Sequence, residues 1–268
     1  MLVSWTGLGW IAVRQRMQYR FDFLMTLLST LMYSGLFYLV WRAVYAHQEE
    51  QVMPWPQLIT YVMVGQAVNV ARWSPAERVP VYTASSRIRN GDIALDLIRP
   101  VDFQALRFLE AAGFFAVELL WVNLPTIALF VLVFGVLPPP TLLAATAFLC
   151  SLVLAFVVSF ALNSMVIMVA FWTTNMLGAQ MCRRGIAEIF SGTLIPFEFF
   201  PGWLRAVAAH LPFQAMGYIP LSIYIGRVAG LPAIGYALLE QVFWAALMLG
   251  ASRLLWRFAF KRVEVYGG

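Results

Sequence analysis

The chain is poor in the side chains on which soluble enzymes depend. Of its 268 residues, 12% are charged, and it contains one lysine, two histidines and two cysteines. The lysine, Lys261, follows Phe260, whereas a phosphate-binding loop of the form G-x-x-x-x-G-K-[ST] requires a lysine directly after a glycine. We therefore do not expect this chain to bind or hydrolyse ATP through such a loop.

Sequence patterns for metal binding and catalysis are missing as well. His47 and His210 have no partner at the spacing of a zinc site, and there is no G-x-S-x-G turn. Cys150 and Cys182 are too few for a disulfide framework, and we interpret them as small apolar fillers. We expect no catalytic residue, no metal and no cofactor in this chain. A membrane-embedded enzyme is the less favoured alternative, because catalytic triads assemble in space and not in sequence.

Apolar residues are what the chain has in abundance. It is 62% hydrophobic with a mean hydropathy of +0.77, a composition typical of integral membrane proteins. About 20 apolar residues are needed for each helical span. The sequence therefore predicts an all-α integral membrane protein, a single transmembrane domain over residues 1–268, with six transmembrane helices at roughly 23–46, 56–76, 108–137, 141–171, 178–200 and 233–258.

Basic residues predict how these helices are oriented. With the N-terminus in the cytoplasm, fifteen of the eighteen lysines and arginines fall on the cytoplasmic side, and Arg42, Arg205 and Arg227 are the exceptions. Both termini are therefore expected in the cytoplasm. A seventh span at 206–226 would send the basic C-terminus outside, so six crossings are favoured. The net charge of +5 is explained by this asymmetry and by anionic lipids, and no nucleic acid is expected as a partner.

Prolines and glycines interrupt the apolar stretch that follows the fifth predicted helix. Pro196, Pro201, Gly202 and Pro212 lie within it, and proline removes a backbone donor that a hydrocarbon core cannot replace. We therefore expect a re-entrant or broken helical segment at 201–232, on the outer side, that caps a cavity. Gly192, Pro196, Pro201 and Gly202 are the candidate gate residues, and Gly192, Pro201 and Gly202 are expected to need unusual or constrained backbone conformations.

Two further helices are predicted outside the bilayer core. Residues 1–22 carry apolar side chains at helical spacing and are expected to lie along the inner leaflet. The cytoplasmic segment 77–107 contains a short amphipathic helix at 92–98 that is too short to be stable alone. Its apolar residues are expected to dock on another protein, with charged residues at the edge: Ile93 and Leu97, flanked by Asp92, Asp96 and Arg99.

Ionisable groups within the predicted spans are candidate pathway residues. Glu188 lies four residues from Arg184, a spacing that allows a local pair, as does that of Glu110 and Arg107. Glu118 lies about 16 Å along the helix from Arg107, and we leave open whether it lines a hydrated cavity or forms a hydrogen bond between helices. Because few such groups converge at mid-membrane, an ion-driven carrier is less favoured.

An aromatic pair on the first predicted helix is a further candidate. Tyr33 and Phe37 stand at i, i+4 spacing, where they would either pack the helix or line the path of an amphiphilic molecule. Helix packing is the favoured interpretation.

The order of these features resembles that of ABC-2 type permeases, in particular six-span bacterial exporter subunits. The resemblance covers nearly the whole chain and rests on Ile88-Arg89-Asn90-Gly91-Asp92 to Arg99-Pro100-Val101, Ser191-Gly192 to Pro196, Pro201-Gly202-Trp203-Leu204, Leu211-Pro212-Phe213 and Val265-Tyr266-Gly267-Gly268. It implies a permease of the bacterial cytoplasmic membrane that pairs with a second permease, identical or paralogous, and with two ATPase subunits that bind ATP and magnesium.

The resemblance also implies roles for the two special segments. The helix at 92–98 would be the coupling helix that sits in a groove of the ATPase, and the segment after the fifth helix would close the exit. The expected function is export of an amphiphilic drug-like or lipid-like substrate. A secondary carrier and a non-transporting membrane scaffold are the alternatives.

Overall fold

The computed structural model describes residues 20–47, 52–77, 102–169 and 177–260, and within these ranges it is helical without strands. The predicted interfacial helix at 1–22 and the coupling residues Asp92, Ile93, Asp96, Leu97 and Arg99 lie outside the described residues, apart from the first residues of the first helix. The helices are α1 Arg20–Ala46, α2 Trp55–Glu77, α3 Phe103–Phe134, α4 Leu142–Met168, α5 Leu177–Phe190, α6 Gly202–Ala208, α7 Tyr218–Tyr224 and α8 Leu231–Phe260.

Four of these helices are long and apolar enough to cross a membrane: α1, α3, α4 and α8. α2 is of comparable length but more polar. α5 has 14 residues, which is about 21 Å of helix against the roughly 30 Å of a hydrocarbon core. The predicted span at 178–200 is therefore wrong in its second half, because the helix ends at Phe190 and the prolines beyond it prevent its continuation.

α4 lies at the centre of the bundle. It packs against α8, α2, α7 and the 3-10 turn Pro212–Met216, while α2 also packs against α1 and α3. The side chains of Leu58, Tyr61, Val62 and Met63 on α2 are completely buried. α1 and α8 instead expose many of their large apolar side chains, as expected for helices that face lipid or another membrane subunit.

The two ends of the bundle are built differently. At one end, here named the Tyr45 end, α1 ends and α2 begins, and α3 ends and α4 begins. The amide of Leu137, between α3 and α4, donates there to Thr60 Oγ1 of α2 at 3.0 Å. At the opposite end, the Asp102 end, α3 begins beside the last turns of α8. There Gln104 Nε2 donates to Ser252 Oγ at 3.2 Å. The charge bias of the sequence predicts that the Asp102 end is cytoplasmic.

Two expectations about local structure are corrected. The third helix was predicted to begin near residue 108, but α3 begins at Phe103, where the Asp102 carboxylate caps it and accepts a hydrogen bond from the Ala105 amide at 2.7 Å. The extent of the cytoplasmic segment stays a prediction. The cysteines are not core fillers. Both Cys150 and Cys182 are exposed free thiols on the surfaces of α4 and α5.

Candidate functional site

Residues 191–230, here named the broken segment, turn back into the bundle at the Tyr45 end. Proline stands at the start of three of its four helical pieces: Pro196 precedes the 3-10 turn Phe197–Phe199, Pro201 precedes α6, and Pro212 opens the next 3-10 turn. The Thr193 carbonyl lies against Gly65, ten residues along α2 and so about 15 Å from the start of that helix. The chain thus satisfies its irregular backbone inside the protein.

Gly192 occupies the turn where α5 ends. Its φ of +73° lies in the left-handed region, which side chains with a Cβ adopt only at a cost. A Cβ at this position would also stand 2.8 Å from the Phe197 ring. The prediction that Gly192 needs an unusual backbone conformation is confirmed.

Two more glycines allow the backbone of this turn to pass between α2 and α7. A Cβ on Gly65 would stand 2.8 Å from the Thr193 carbonyl oxygen, and one on Gly217 would stand 2.6 Å from the Ser191 carbonyl oxygen. We name Gly65, Gly192 and Gly217, with the 191–193 backbone between them, the glycine clamp. Real Cβ atoms do not approach other atoms this closely, so substitution at any of the three glycines must displace its neighbours.

A hydrogen bond from α2 also holds this turn. The Tyr61 hydroxyl donates to the Gly192 carbonyl oxygen at 2.8 Å, and the side chain of Tyr61 is completely buried. The hydroxyls of Ser191 and Thr193 are 2.8 Å apart and bond to each other. The hydroxyls of the turn and the Gly192 carbonyl are therefore paired within the protein, as a water-poor interior requires.

An ion pair joins two distant parts of the broken segment; its carboxylate is enclosed and its guanidinium is partly exposed. The Arg227 guanidinium pairs with the Glu198 carboxylate, whose side chain is 5% exposed, and the Tyr218 hydroxyl donates to Glu198 Oε1 at 3.0 Å. Sequence reasoning missed this pair because the partners are distant in the chain and the positive-inside rule counts Arg227 only as an outlying charge.

Two glutamines and a glutamate fix the second 3-10 turn to α4 and α8. Gln241 Nε2 donates to the Ala215 carbonyl at 2.7 Å and to the Ser151 carbonyl at 3.1 Å. The Gln214 amide donates to the Glu240 carboxylate. These contacts bind the turn to α4 and α8, so the second half of the broken segment is part of the helix bundle.

The middle of the broken segment is different, because α6 lies on the surface. Pro201 and Gly202 are exposed, Trp203 is 70% exposed, and a Cβ on Gly202 would meet no atom within 4 Å. Its φ is not positive. The expectation that Gly202 needs a conformation closed to larger residues is therefore wrong, while a gate role for Pro196, Pro201 and Gly202 stays a prediction.

The aromatic candidates on α1 lie side by side. The rings of Tyr33 and Phe37 are 5.1 Å apart between centroids; Tyr33 is 53% exposed, whereas Phe37 packs against the core. α1 also reaches the broken segment, because the Trp41 and Phe199 rings are 4.8 Å apart. The pair thus contributes to the α1 surface, and its pathway role stays a prediction.

The candidate carboxylates within the helices have different surroundings. The predicted local pairs are confirmed, with Arg184 Nε 3.3 Å from Glu188 Oε1 and Arg107 Nη1 2.7 Å from Glu110 Oε2. Glu118 is 3% exposed and opens a π-helical segment, Glu118–Asn123, in the middle of α3. Its pathway role, like that of Glu188, stays a prediction.

Sequence reasoning did not predict this π-helical segment, although one residue signals it. Pro125 follows it directly, and proline clashes with the carbonyl four residues earlier, at Trp121. The helix accommodates the clash by widening, so that the Leu124 amide bonds to the Leu119 carbonyl. Such π-bulges occur frequently at functional sites.

At the Asp102 end the charges are more exposed. Arg253 Nη1 lies 2.7 Å from both carboxylate oxygens of Asp102. Partial burial opposes ionisation, but the hydrogen bonds from Arg253 and the Ala105 amide outweigh it and lower the pKa of Asp102 below its ordinary value. In the described part of the chain, no three His, Cys, Asp or Glu side chains come together as metal ligands.

Comparison with known proteins shows the family of this chain. The sequence matches the protein family described as ABC-2 family transporter protein over residues 31–267, which is most of the chain. No curated protein and no solved structure matches it significantly. With its long apolar helices and the broken segment between α5 and α8, the chain belongs to the ABC-2 transporter family and is a membrane-embedded permease of an ABC transporter.

Proposed function

We propose that this permease exports an amphiphilic drug-like or lipid-like substrate, as one of two membrane subunits powered by separate ATPase subunits. It would act in a bacterial cytoplasmic membrane with both chain ends in the cytoplasm. The observation that carries the proposal is the broken segment, which in a chain of this family places a compact, internally bonded structure at one end of the bundle.

The burial pattern of the broken segment supports a role at the exit. Its ends are bound to α2, α4 and α8, whereas α6 in its middle stays exposed. A segment fixed at both ends can change shape in its middle without leaving the bundle. The charge bias predicts that the Asp102 end is cytoplasmic. The broken segment, at the opposite end, would then lie on the outer side, where a substrate would leave.

An external energy source is supported by the sequence of the chain itself. It has no lysine after a glycine and hence no phosphate-binding loop of the standard kind, so a partner would supply ATP hydrolysis. Family membership favours this arrangement over an ion-coupled carrier or a scaffold. We propose that Ile93 and Leu97 dock on the ATPase, with Asp92, Asp96 and Arg99 at the edge of the contact.

Purification and transport assays together test the function. The chain is isolated from its native membranes in mild detergent, and co-purifying proteins are identified; we expect an ATPase with a phosphate-binding loop. Sealed inside-out vesicles are then given either the amphiphilic dye Hoechst 33342 or a fluorescent phospholipid, each with ATP. ATP-dependent transport of one probe supports the proposal and identifies the substrate class. No co-purifying ATPase, or transport driven by an ion gradient without ATP, would contradict it.

Substitution of Leu97 tests the coupling residues. Leu97→Asp places a charge on the proposed docking face, so ATPase activity stimulated by substrate should be lost, whereas Leu97→Met should keep it. Both variants are first checked for normal membrane insertion. Unchanged stimulation in Leu97→Asp would refute the docking assignment.

A further inference from the structure

α2 contacts the broken segment directly and runs from there to the segment that precedes α3. We propose that Tyr61 and Gly65 are positioning residues that tie the broken segment to α2, so that the two move as one body when the ATPase changes state. The inference rests on the proposed function and specifies how the free energy of ATP hydrolysis reaches the broken segment at the outer end of the pathway.

The hydrogen bond from Tyr61 supplies a directional link. The phenol is completely buried, and its hydroxyl reaches the Gly192 carbonyl at 2.8 Å across a sequence separation of 131 residues. A carbonyl in a buried turn has no water to replace a lost donor. Movement of α2 away from this turn would leave both groups unpaired, so the hydrogen bond resists separation.

Gly65 supplies the steric part of the link. Its Cα faces the Thr193 carbonyl so closely that even a methyl group would stand 2.8 Å from that oxygen, and the Leu221 side chain of α7 also lies beside it, 3.5 Å from the same position. α2 therefore contacts both the start of the broken segment and its last helix. Close-packed surfaces of this kind transmit displacement with little compression.

The continuity of α2 makes it suited to carry movement. It is an uninterrupted helix of 23 residues, Trp55–Glu77, about 34 Å long, and ends where the predicted cytoplasmic segment begins. α5, the helix that leads into the broken segment along the chain, presents Met181, Ile186 and Ile189 on an exposed face, and the positive-φ turn at Gly192 separates it from the rest of the segment.

A thiol reporter on α6 tests the link. Arg205→Cys is introduced into a variant in which both native cysteines, Cys150 and Cys182, are replaced by serine. The full transporter is kept in sealed right-side-out vesicles prepared from its native cells. The rate of labelling by an impermeant maleimide is measured with vesicles loaded either with ATP, magnesium and vanadate or with no nucleotide. ATP hydrolysis is measured in parallel.

Tyr61→Phe and Gly65→Ala are then compared with matched controls. Tyr45→Phe removes a buried hydroxyl that bonds to the Met53 carbonyl at the same end, and Gly35→Ala adds a methyl group where no atom lies within 4 Å. We expect the nucleotide-dependent change in labelling to fall by about fivefold in Tyr61→Phe, the effect of one buried hydrogen bond, and at least as far in Gly65→Ala. Both controls should respond like the parent, and ATP hydrolysis should be retained in Tyr61→Phe.

The outcomes separate this inference from the function on which it rests. If Tyr61→Phe and Gly65→Ala respond to nucleotide like the parent, the link between α2 and the broken segment is refuted and the transporter function stands. Parallel loss of labelling response and ATP hydrolysis in Tyr61→Phe would indicate a general packing role and would also refute it. If the parent itself shows no response to nucleotide, the ATP-driven function is overturned.

Discussion

Gly192 and Gly202 stand in the same proline-rich stretch, yet the structure treats them in opposite ways. Gly192 has a positive φ and is enclosed by the Phe197 ring and Tyr218, whereas Gly202 begins a surface helix with no atom near its missing side chain. The comparison shows that proline and glycine content marks where a helix is broken but not where the backbone is strained. Strain depends on which part of the broken segment the bundle encloses.

The largest effect is expected at the enclosed glycine. Gly192→Val forces a β-branched residue into the left-handed region and against Phe197, and should cost about 2 to 5 kcal/mol of stability. Gly202→Val should change stability by less than about 1 kcal/mol, since the surface position has room for the side chain and valine forms helix at least as readily as glycine. Apparent melting temperature and monodispersity in detergent would measure both. Equal losses would contradict the contrast between the two glycines.

The next largest effect concerns two ion pairs, one whose carboxylate is enclosed and one that is exposed on both sides. Arg227→Met leaves the buried Glu198 carboxylate without its cation and should cost about 2 to 4 kcal/mol. Arg253→Met breaks the more exposed pair with Asp102, and such pairs contribute less than about 1 kcal/mol. Thermal melting of the two variants gives the comparison. A double variant, Arg227→Met with Glu198→Gln, should recover part of the loss, because no buried charge then remains unpaired.

Tyr61→Phe sharpens the contrast within the enclosed region. It removes one hydrogen bond while keeping the ring, so a loss of about 1 to 2 kcal/mol is expected. Exchange of the Ser191 to Thr193 amides with deuterated solvent should accelerate, whereas that of α6 should not change. Acceleration in α6 alone would place the mechanical link elsewhere.

The smallest effect is a pH dependence at the Asp102 end. Since the folded pKa of Asp102 is lowered, its contribution is present above the ordinary aspartate value of 3.8 and is lost as pH falls through the lower folded value. Because this pair is partly exposed, the change should stay below about 1 kcal/mol. Melting temperatures from pH 7 downward would show it as a difference between the parent and Asp102→Asn. Identical pH profiles would contradict it.

Local sequence signals predicted a large part of this structure. The ranges of α1, α2, α4 and α8 were predicted to within a few residues, because apolar length and helix period are properties of neighbouring residues. The pairs Arg107–Glu110 and Arg184–Glu188 were predicted for the same reason. The early end of α5 was not predicted, although Gly192, two residues beyond it, is of the residue type that commonly ends helices in the left-handed conformation.

Contacts between distant residues escaped prediction. Nothing near Glu198 in sequence indicates Arg227, and nothing near Tyr61 indicates the Gly192 carbonyl. The π-helical segment is intermediate, because Pro125 marks a disturbed helix but does not say whether the helix kinks or widens. In each case the outcome depends on what packs against the residue.

The sequence by itself determined that this protein is a helical membrane protein, where its long helices lie and that prolines and glycines break the chain after the fifth helix. These properties follow from hydrophobicity and backbone geometry, which act over a few neighbouring residues. Only the tertiary structure decided which glycine is indispensable, which carboxylate is buried with an arginine, and that α2 holds the broken segment. Those outcomes depend on close approach between parts of the chain that lie far apart in sequence, and steric exclusion and desolvation act only where such parts meet.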